Sequence, residues 1–243
     1  MKPAQFTRFA LGSAAALMLA ACNVEEGSED AGGVDLAALD LGGTAPTVIV
    51  LEGPDDIDVV QGDSFAVDVS GDADAVTEVR FVREGDTLTV YRPGRFVMDQ
   101  GTARITVTLP ALQSASITGS GDLSSEVLTG DVGIDIAGSG SLVAASVDTT
   151  ALDIAIAGSG NVTIGGESET LRVGIAGSGD VDARRLTVAT ADVSIEGSGD
   201  VALRSDGTVR AAIAGSGDVR VTGSASCEGE VYGSGELLCE DVE

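Results

Sequence analysis

The sequence lacks the residue types on which much enzyme chemistry depends. Its 243 residues include no histidine and no tryptophan, and Lys2 is the single lysine. Histidine is the commonest general acid and base, and lysine forms Schiff bases, so the usual side chains for both kinds of catalysis are missing. The composition therefore predicts a protein with no catalytic residue, no cofactor and no metal site.

Positive charge and aromatic side chains are also scarce. The chain carries 39 Asp and Glu against 13 Lys and Arg, which gives a formal net charge of −26. This charge argues against nucleic acid as a partner and against direct adhesion to anionic lipid. A sugar-binding groove usually needs aromatic platforms, so the composition disfavours a lectin. After the first 21 residues the aromatic residues are Phe65, Phe81, Tyr91, Phe96 and Tyr232.

The one long hydrophobic run lies at the N-terminus. Lys2 and Arg8 precede an apolar stretch from Phe9 to Ala21, which is typical of a secretory signal peptide over residues 1–21. The stretch is too short for a membrane-spanning helix. It ends in Leu19-Ala20-Ala21-Cys22, which resembles the lipobox of bacterial lipoproteins.

The lipobox resemblance implies an address for the protein. It implies cleavage before Cys22, a diacylglycerol on the Cys22 sulfur and usually a third acyl chain on its amine, which together give stable anchoring. Asn23, and not Asp, follows the cysteine, and in the usual sorting pattern this implies the outer membrane. Residues 22–45 are acidic and glycine-rich and predict a flexible tether with a reach of about 25–30 Å, with a brief helical turn within residues 34–41. The lipid would be the only membrane attachment, and the side of the membrane stays open.

A glycine triplet repeats along the second half of the chain. Seven Gly-Ser-Gly copies follow one another at intervals of 18–20 residues, and a fixed period of this size is typical of a solenoid. Glycine suits such a turn because it tolerates positive φ and leaves room for neighbouring coils. The triplets begin at Gly119, Gly138, Gly158, Gly177, Gly197, Gly215 and Gly233.

Apolar residues keep a spacing of two on both sides of each triplet, which is strand periodicity. Each repeat is therefore predicted to form one rung of a parallel β-helix, with rungs stacked at about 4.8 Å. The residues two before the first glycine are Ile117, Ile136, Ile156, Ile175, Ile195, Ile213 and Val231. The residues four after it are Leu123, Leu142, Val162, Val181, Val201, Val219 and Leu237.

Polar residues follow every triplet. The triplet serines should stack as a column, and the residues after the turn should bond nearby backbone amides. A phosphate-binding loop is disfavoured because it needs a lysine and a following helix. Weak cation binding to the column after the turn stays open. That column is Asp122, Ser141, Asn161, Asp180, Asp200, Asp218 and Glu236.

With Cys22 assigned to lipid, two of the three cysteines remain. Cys227 and Cys239 lie six residues before and after Gly233, where earlier repeats carry apolar residues. Both are therefore predicted to point into the coil and to form a disulfide that seals the last rung. Closing this short loop would contribute about 3 kcal/mol in the chain-entropy model. A metal or redox site is the alternative, but no histidine or third thiol accompanies the pair.

Residues 46–115 alternate like strands but lack the glycine period. Strands are predicted over 47–51, 57–60, 65–69, 79–82, 88–91 and 105–109, with turns at Gln61-Gly62-Asp63 and Glu84-Gly85-Asp86. We interpret them as irregular strands that cap or begin the solenoid of residues 116–243. Terminal repeats are atypical because they must cover an exposed strand edge.

The order of these segments resembles a known family. Ile57-Asp58-Val59-Val60-Gln61-Gly62-Asp63, then Ile105-Thr106-Val107-Thr108-Leu109-Pro110, then repeated Gly-Ser-Gly-Asp-Val, is similar to the auto-transporter adhesin, head GIN domain family over residues 46–240. The resemblance implies an all-β, right-handed parallel β-solenoid in a bacterial envelope protein. The family offers no catalytic motif to carry over.

Three functions follow as hypotheses. The first is a non-enzymatic envelope lipoprotein that binds an envelope protein or surface ligand through outward positions three before each triplet: Asp135, Ala155, Gly174, Ser194 and Ala212. These small residues could equally serve close rung stacking. The second is a polysaccharide-acting enzyme, for which Asp182, Arg184 and Arg185 are the nearest charged cluster. The third is a purely structural envelope component.

Overall fold

The computed structural model describes residues 32–93 and 101–240. The predicted signal peptide and Cys22 lie outside these residues. The described chain is mostly strand, with one short helix, α1 (Ala73–Glu78), and one 3-10 turn (Leu36–Ala38). The strands of the N-terminal region are β1 (Val48–Gly53), β2 (Asp56–Gln61), β3 (Ala66–Gly71), β4 (Arg80–Glu84), β5 (Thr87–Tyr91), β6 (Ala103–Leu109) and β7 (Leu112–Gly119). The strands of the repeat region are β8 (Leu123–Gly138), β9 (Ser141–Gly158), β10 (Asn161–Gly177), β11 (Val181–Gly197), β12 (Val201–Gly215), β13 (Val219–Thr222), β14 (Ser226–Gly233) and β15 (Leu237–Glu240).

The repeat region is a parallel β-solenoid of about seven turns, which confirms the predicted fold class. Strands β8 to β12 each run 15–18 residues, and each pairs in parallel with the strand one repeat earlier and one repeat later. The first glycine of every triplet pairs with the first glycine of the next, from Gly119 to Gly233. Neighbouring triplets are therefore one strand spacing apart, as the period predicts.

Isoleucine and valine columns line a shared dry interior. The six isoleucines that precede the triplets by two residues are each 0–2% exposed, from Ile117 to Ile213. The column four after the triplets is buried equally well from Leu123 to Val219. β-branched residues favour this arrangement because their branched side chains pack well on a pleated surface. The alternating pattern of the sequence is thus an inside–outside pattern.

The N-terminal region continues both sides of the coil and then closes it. Strand β1 pairs in parallel with β5 and β7, and β2 pairs in parallel with β6 and β8. The two outermost strands are antiparallel: β4 pairs with β5, and β3 pairs with β6. Antiparallel strands therefore terminate the stack at this end, in keeping with the predicted irregular capping strands.

The chain before β1 is folded from at least Val34 onward, which corrects the predicted flexible tether for its residues 34–45. Val34 and Phe81 exchange backbone hydrogen bonds of 2.9 and 2.8 Å, and Leu39 is 8% exposed. The Arg83 guanidinium donates to the carbonyl oxygens of Asp40 and Gly42 at 2.6 and 2.7 Å, and also to that of Thr44. The acidic, glycine-rich composition gave no sign of these contacts, because they depend on Phe81 and Arg83 of β4, which are distant in sequence.

Candidate functional site

The triplet corners are built from backbone contacts between rungs. The first glycine of each triplet has φ between +131° and +146°, a region that side chains with a Cβ rarely adopt. At Gly177 an added Cβ would also overlap the carbonyl oxygen of Gly158 in the rung before. The amide of Ser178 donates to this same oxygen at 2.8 Å, and the other triplets repeat the bond. The triplet serines thus contribute to the corner through their amides.

The polar column after the triplets also bonds rung to rung. The side chain of Asp180 accepts a hydrogen bond of 2.9 Å from the amide of Asp200, whose own side chain accepts one of 2.8 Å from the amide of Asp218. The side chain of Asn161 accepts a hydrogen bond of 3.2 Å from the amide of Asp180. The side chain of Asp218 accepts one of 2.9 Å from the amide of Glu236. These oxygens stabilise the stack, as carboxylates do when they bond backbone amides. Within residues 32–93 and 101–240, no group of three or more acidic or thiol side chains is arranged to hold a metal ion.

One outward surface of the repeat region carries mostly small residues. We call it the small-residue face: Asp135, Ala155, Gly174, Ser194 and Ala212, flanked by Ala137, Ala157, Ala176, Glu196 and Ala214, all of them exposed. Its C-terminal half forms an open trough of about 760 Å³. A second trough of about 460 Å³ continues it toward the N-terminus. The outward positions predicted from the sequence are therefore brought together in one column on this face.

Alternating charges border the small-residue face. Asp153, Arg172, Asp192, Arg210 and Glu228 occupy one column of successive rungs. Arg172 lies 3.3 Å from Asp153, and Arg210 lies 4.0 Å from Asp192 and 3.6 Å from Glu228. These side chains are about 60–70% exposed, so each pair adds little to stability. The column gives the border a mixed charge without a basic patch.

A second groove, of about 850 Å³, lies on another corner of the coil and is acidic. Five carboxylates line it: Asp131, Asp148, Glu167, Glu169 and Asp206. The hydroxyls of Thr149 and Ser168 form its buried floor, and each donates to a nearby backbone carbonyl oxygen. A hydrogen bond from the Ser224 amide lowers the pKa of Asp206 below its ordinary value. The groove therefore stays negative at neutral pH.

The charged cluster behind the enzyme hypothesis lies outside these grooves. Arg184 Nε donates to Asp182 Oδ1 at 2.9 Å, and this bond lowers the pKa of Asp182. The two side chains are 65% and 38% exposed. Arg185 lies next to Gly165 of the rung before, and its own side chain is exposed as well. The arrangement is that of an ordinary surface ion pair.

Cys227 and Cys239 are joined by a disulfide in the structure, with their Cα atoms 6.6 Å apart. Cys227 is half-buried against the core, and Cys239 is exposed. The exposure of Cys239 corrects the expectation that the disulfide seals the interior of the last rung. No rung covers the far side of β15 among the described residues, so an inward position there stays in contact with solvent.

Sequence reasoning missed one ion pair that positions the N-terminal region. Asp55 is 1% exposed, and its Oδ2 lies 2.7 Å from Arg92 Nε in an ion pair that does not reach hydrogen-bond geometry. Oδ1 of Asp55 accepts the amide of Ala103 at 2.8 Å. Burial raises the pKa of Asp55, while the Ala103 amide and Arg92 lower it, and burial prevails. The pair has no period and no local motif, so the sequence held no signal for it.

Solved structures share this fold. A protein from Bacteroides fragilis called a putative adhesin has a TM-score of 0.72 and 20% identity over 86% of this chain and 100% of its own. A putative lipid binding protein from Parabacteroides distasonis has a TM-score of 0.62 and 20% identity over 82% of this chain and 94% of its own. A putative adhesin from the same species has a TM-score of 0.61 and 22% identity over 82% and 93%. At these identities the likeness concerns the fold alone.

The family is settled by sequence. No curated protein matches the chain significantly. None of the helices in the described ranges has the length and apolar character needed to cross a membrane. Residues 45–225 match the family described as "Putative auto-transporter adhesin, head GIN domain", which agrees with the resemblance found in the motifs. The chain belongs to this head GIN domain family.

Proposed function

We propose that the protein is a non-enzymatic, lipid-anchored envelope protein that binds a surface ligand or envelope protein through the small-residue face. The observation that carries this proposal is the pair of adjoining troughs along five rungs, in which most outward residues of the face are Ala, Gly or Ser and charged residues lie at the border. Small side chains let the backbone of a partner approach the sheet closely. The family name supports an adhesin-like role for such a surface.

The fold supports a binding role more than lipid transport or catalysis. Apolar columns fill the interior of the repeat region, so lipid uptake into the coil, which the name of one structural neighbour suggests for that protein, is not proposed here. The exposed Asp182–Arg184 pair lies outside the grooves and favours no hydrolytic or lyase role. The trough is open and long, which suits an extended or flat partner.

Photo-crosslinking in intact cells tests this face. A crosslinking amino acid at Ala155 should capture a defined partner, while the same residue at Val143 should not. Both positions are exposed on β9, but Val143 lies on a different side of the rung. In parallel, Ala155→Arg should lower partner capture or cell binding at least tenfold, and Val143→Arg less than twofold. Equal effects at the two positions would remove the small-residue face from the proposal.

The anchor is part of the same proposal and has its own test. Removal of residues 1–21 and acylation of Cys22 would leave Cys227 and Cys239 to pair in an oxidising compartment, where disulfides persist. A Cys22→Ala variant should no longer incorporate a labelled fatty acid and should leave the membrane fraction, whereas a Cys227→Ala/Cys239→Ala variant should keep the label. Peptide mapping without reductant should recover Cys227 joined to Cys239. Protease shaving of whole cells then tells which side of the membrane the solenoid faces.

A further inference from the structure

The C-terminal end of the solenoid is an edge of the sheet. We call strands β14 and β15 the open end. β14 pairs with β12 and β15 pairs with β13, and within residues 101–240 no strand pairs with their far sides. An unpaired strand edge presents a row of backbone donors and acceptors to which another strand can add.

Apolar side chains reach this edge without cover. Val231 is 39% exposed, whereas Ile213 and Ile195 in the same column of earlier rungs are 1% and 0% exposed. Tyr232 is 72% exposed. Of the five large hydrophobic residues exposed in the described chain, these two are neighbours on β14. The open end is therefore the place where the apolar column is left half-covered, next to an exposed tyrosine of the kind enriched at binding interfaces.

The open end is also strongly negative. Glu228, Glu230, Glu236 and Glu240 are all exposed on β14, on β15 and in the turn between them. Arg210 of the preceding rung lies 3.6 Å from Glu228 and is the one base that approaches this set within salt-bridge distance among the described residues. Two open ends facing each other would place like charges in contact. The N-terminal end already has its antiparallel strands β3 and β4, so end-to-end stacking of two copies is disfavoured at both ends.

We propose that the open end is a docking site for an extended, basic segment of another protein, which adds to β14 as one further strand. Apolar residues at alternate positions of that segment would cover Val231 and continue the inner column. Lysine or arginine residues at the positions between them would face Glu228 and Glu230. The ring of Tyr232 offers one of these cations an additional contact. This site adjoins the C-terminal trough of the small-residue face, which Glu228 and Glu230 also line, but it uses the unpaired edge of β14 and does not depend on the function proposed for that face.

The disulfide suits such a site. It ties β14 to β15 across the last turn of the described residues, and so restrains the two strands relative to each other. A different use of the same glutamates is to prevent strands from adding at all, because charged edges discourage edge-to-edge association. That use predicts no binding of a basic strand, and the test separates the two.

The experiment measures binding of a fluorescent ten-residue peptide of alternating valine and lysine to the full chain by anisotropy. Saturable binding should weaken at least tenfold in a Glu228→Lys/Glu230→Lys variant. A Glu167→Lys/Glu169→Lys variant has the same change in net charge at exposed positions of the interior strand β10, and it should bind within twofold of the original. Equal losses in the two variants, or no binding of the peptide, would overturn the proposal.

A second experiment tests whether the peptide binds through backbone hydrogen bonds. The same peptide with N-methyl groups on alternate residues keeps its charges but loses half of its donors, so it should bind at least tenfold more weakly. On binding of the parent peptide, hydrogen exchange of the β14 amides should slow while that of β10 amides stays unchanged. If the β14 amides of the free protein already exchange as slowly as those of β10, the edge is covered and the proposal is wrong.

Discussion

The repeat region and the N-terminal region hold their strands together with different contacts. In the repeat region each contact recurs: glycine on glycine, isoleucine on isoleucine, and a carboxylate or amide oxygen on the amide of the next rung. In the N-terminal region the decisive contacts occur once, as with Arg83 on three carbonyl oxygens and Arg92 on the buried Asp55. A recurring contact adds a modest amount of stability at every rung, whereas no second contact of the same kind compensates for the loss of a single one. The following variants test this difference from the largest expected effect to the smallest.

The largest effect is expected at a triplet glycine. Gly177→Ala should lower the free energy of unfolding by more than about 4 kcal/mol, because it combines a φ of +139° with overlap between the new Cβ and a backbone oxygen of the rung before. Gly174 lies on the same strand three residues earlier, and a Cβ there would have no atom within 4 Å. Gly174→Ala should be neutral or stabilising by up to about 1 kcal/mol. Urea unfolding, with soluble yield for a variant that does not fold, measures both changes. A tolerated Gly177→Ala would contradict the close stacking of the triplets.

The second effect compares a unique buried ion pair with a repeated exposed one. Arg92→Met leaves Asp55 buried without its partner and should cost about 3 kcal/mol in unfolding free energy. Arg172→Met removes an exposed partner of Asp153 and should cost less than about 0.5 kcal/mol. Urea midpoints of the two variants provide the measurement. Similar costs would mean that the N-terminal region is not held by single contacts.

The difference between contacts that recur in every rung and contacts that occur once also explains how much of the fold the sequence could predict. The period, the inward columns and the stacking of Gly119 to Gly233 were predictable because a residue in one rung meets the same surroundings as its counterpart in the next. The predicted strands of residues 46–115 overlap β1 to β6, since alternation is a local signal. The folded segment from Val34 and the Asp55–Arg92 pair were not predictable, because each depends on partners far away in sequence that occur once. The small-residue face was predicted as a column, but its troughs depend on how the rungs stack.

At the open end, the column that a residue occupies does not predict whether its side chain is buried. Cys239 and Leu237 occupy inward columns that are buried in every earlier rung, and yet Cys239 is exposed and Leu237 half-buried. A column predicts which way a side chain points, but burial also requires a rung on both sides. Position in the stack therefore decides whether the same pattern gives a core residue or a surface residue.

A moderate effect is expected in the polar column after the triplets. Asp200→Ala removes the oxygen that accepts the Asp218 amide and should cost about 1–2 kcal/mol in unfolding free energy. Asp200→Asn keeps an oxygen in the same place and should cost less than about 0.5 kcal/mol. Urea unfolding at low and at high salt compares the two, since high salt screens the repulsion among neighbouring carboxylates. If Asn and Ala cost the same, the hydrogen bond between rungs is not what this column contributes.

The smallest effect concerns pH and two aspartates with lowered pKa values, one in each region. A hydrogen bond of 2.6 Å from Ser124 and then an ion pair with Arg104 lower the pKa of Asp58, and the bond from Arg104 spans 46 residues of sequence. A carboxyl with a lowered folded pKa contributes stability that is present above the unfolded value, near 3.8, and is lost as pH falls through the folded pKa. Asp58→Asn should therefore destabilise by at most about 1 kcal/mol at pH 7, and the difference from the original protein should disappear in acid. Urea midpoints of both proteins from pH 7 to pH 3 measure this difference in stability.

Asp182 in the repeat region provides the comparison for that measurement. Its lowered pKa comes first from Arg184, which lies two residues away on the same strand. A pair so close in sequence also forms part of the time in the unfolded chain, so its pKa is lowered in both states and less of the shift appears as stability. Asp182→Asn should therefore change the pH dependence of unfolding less than Asp58→Asn does, although both folded pKa values are lowered. A larger pH effect for Asp182 would show that distance along the chain does not decide what an ion pair contributes in this fold.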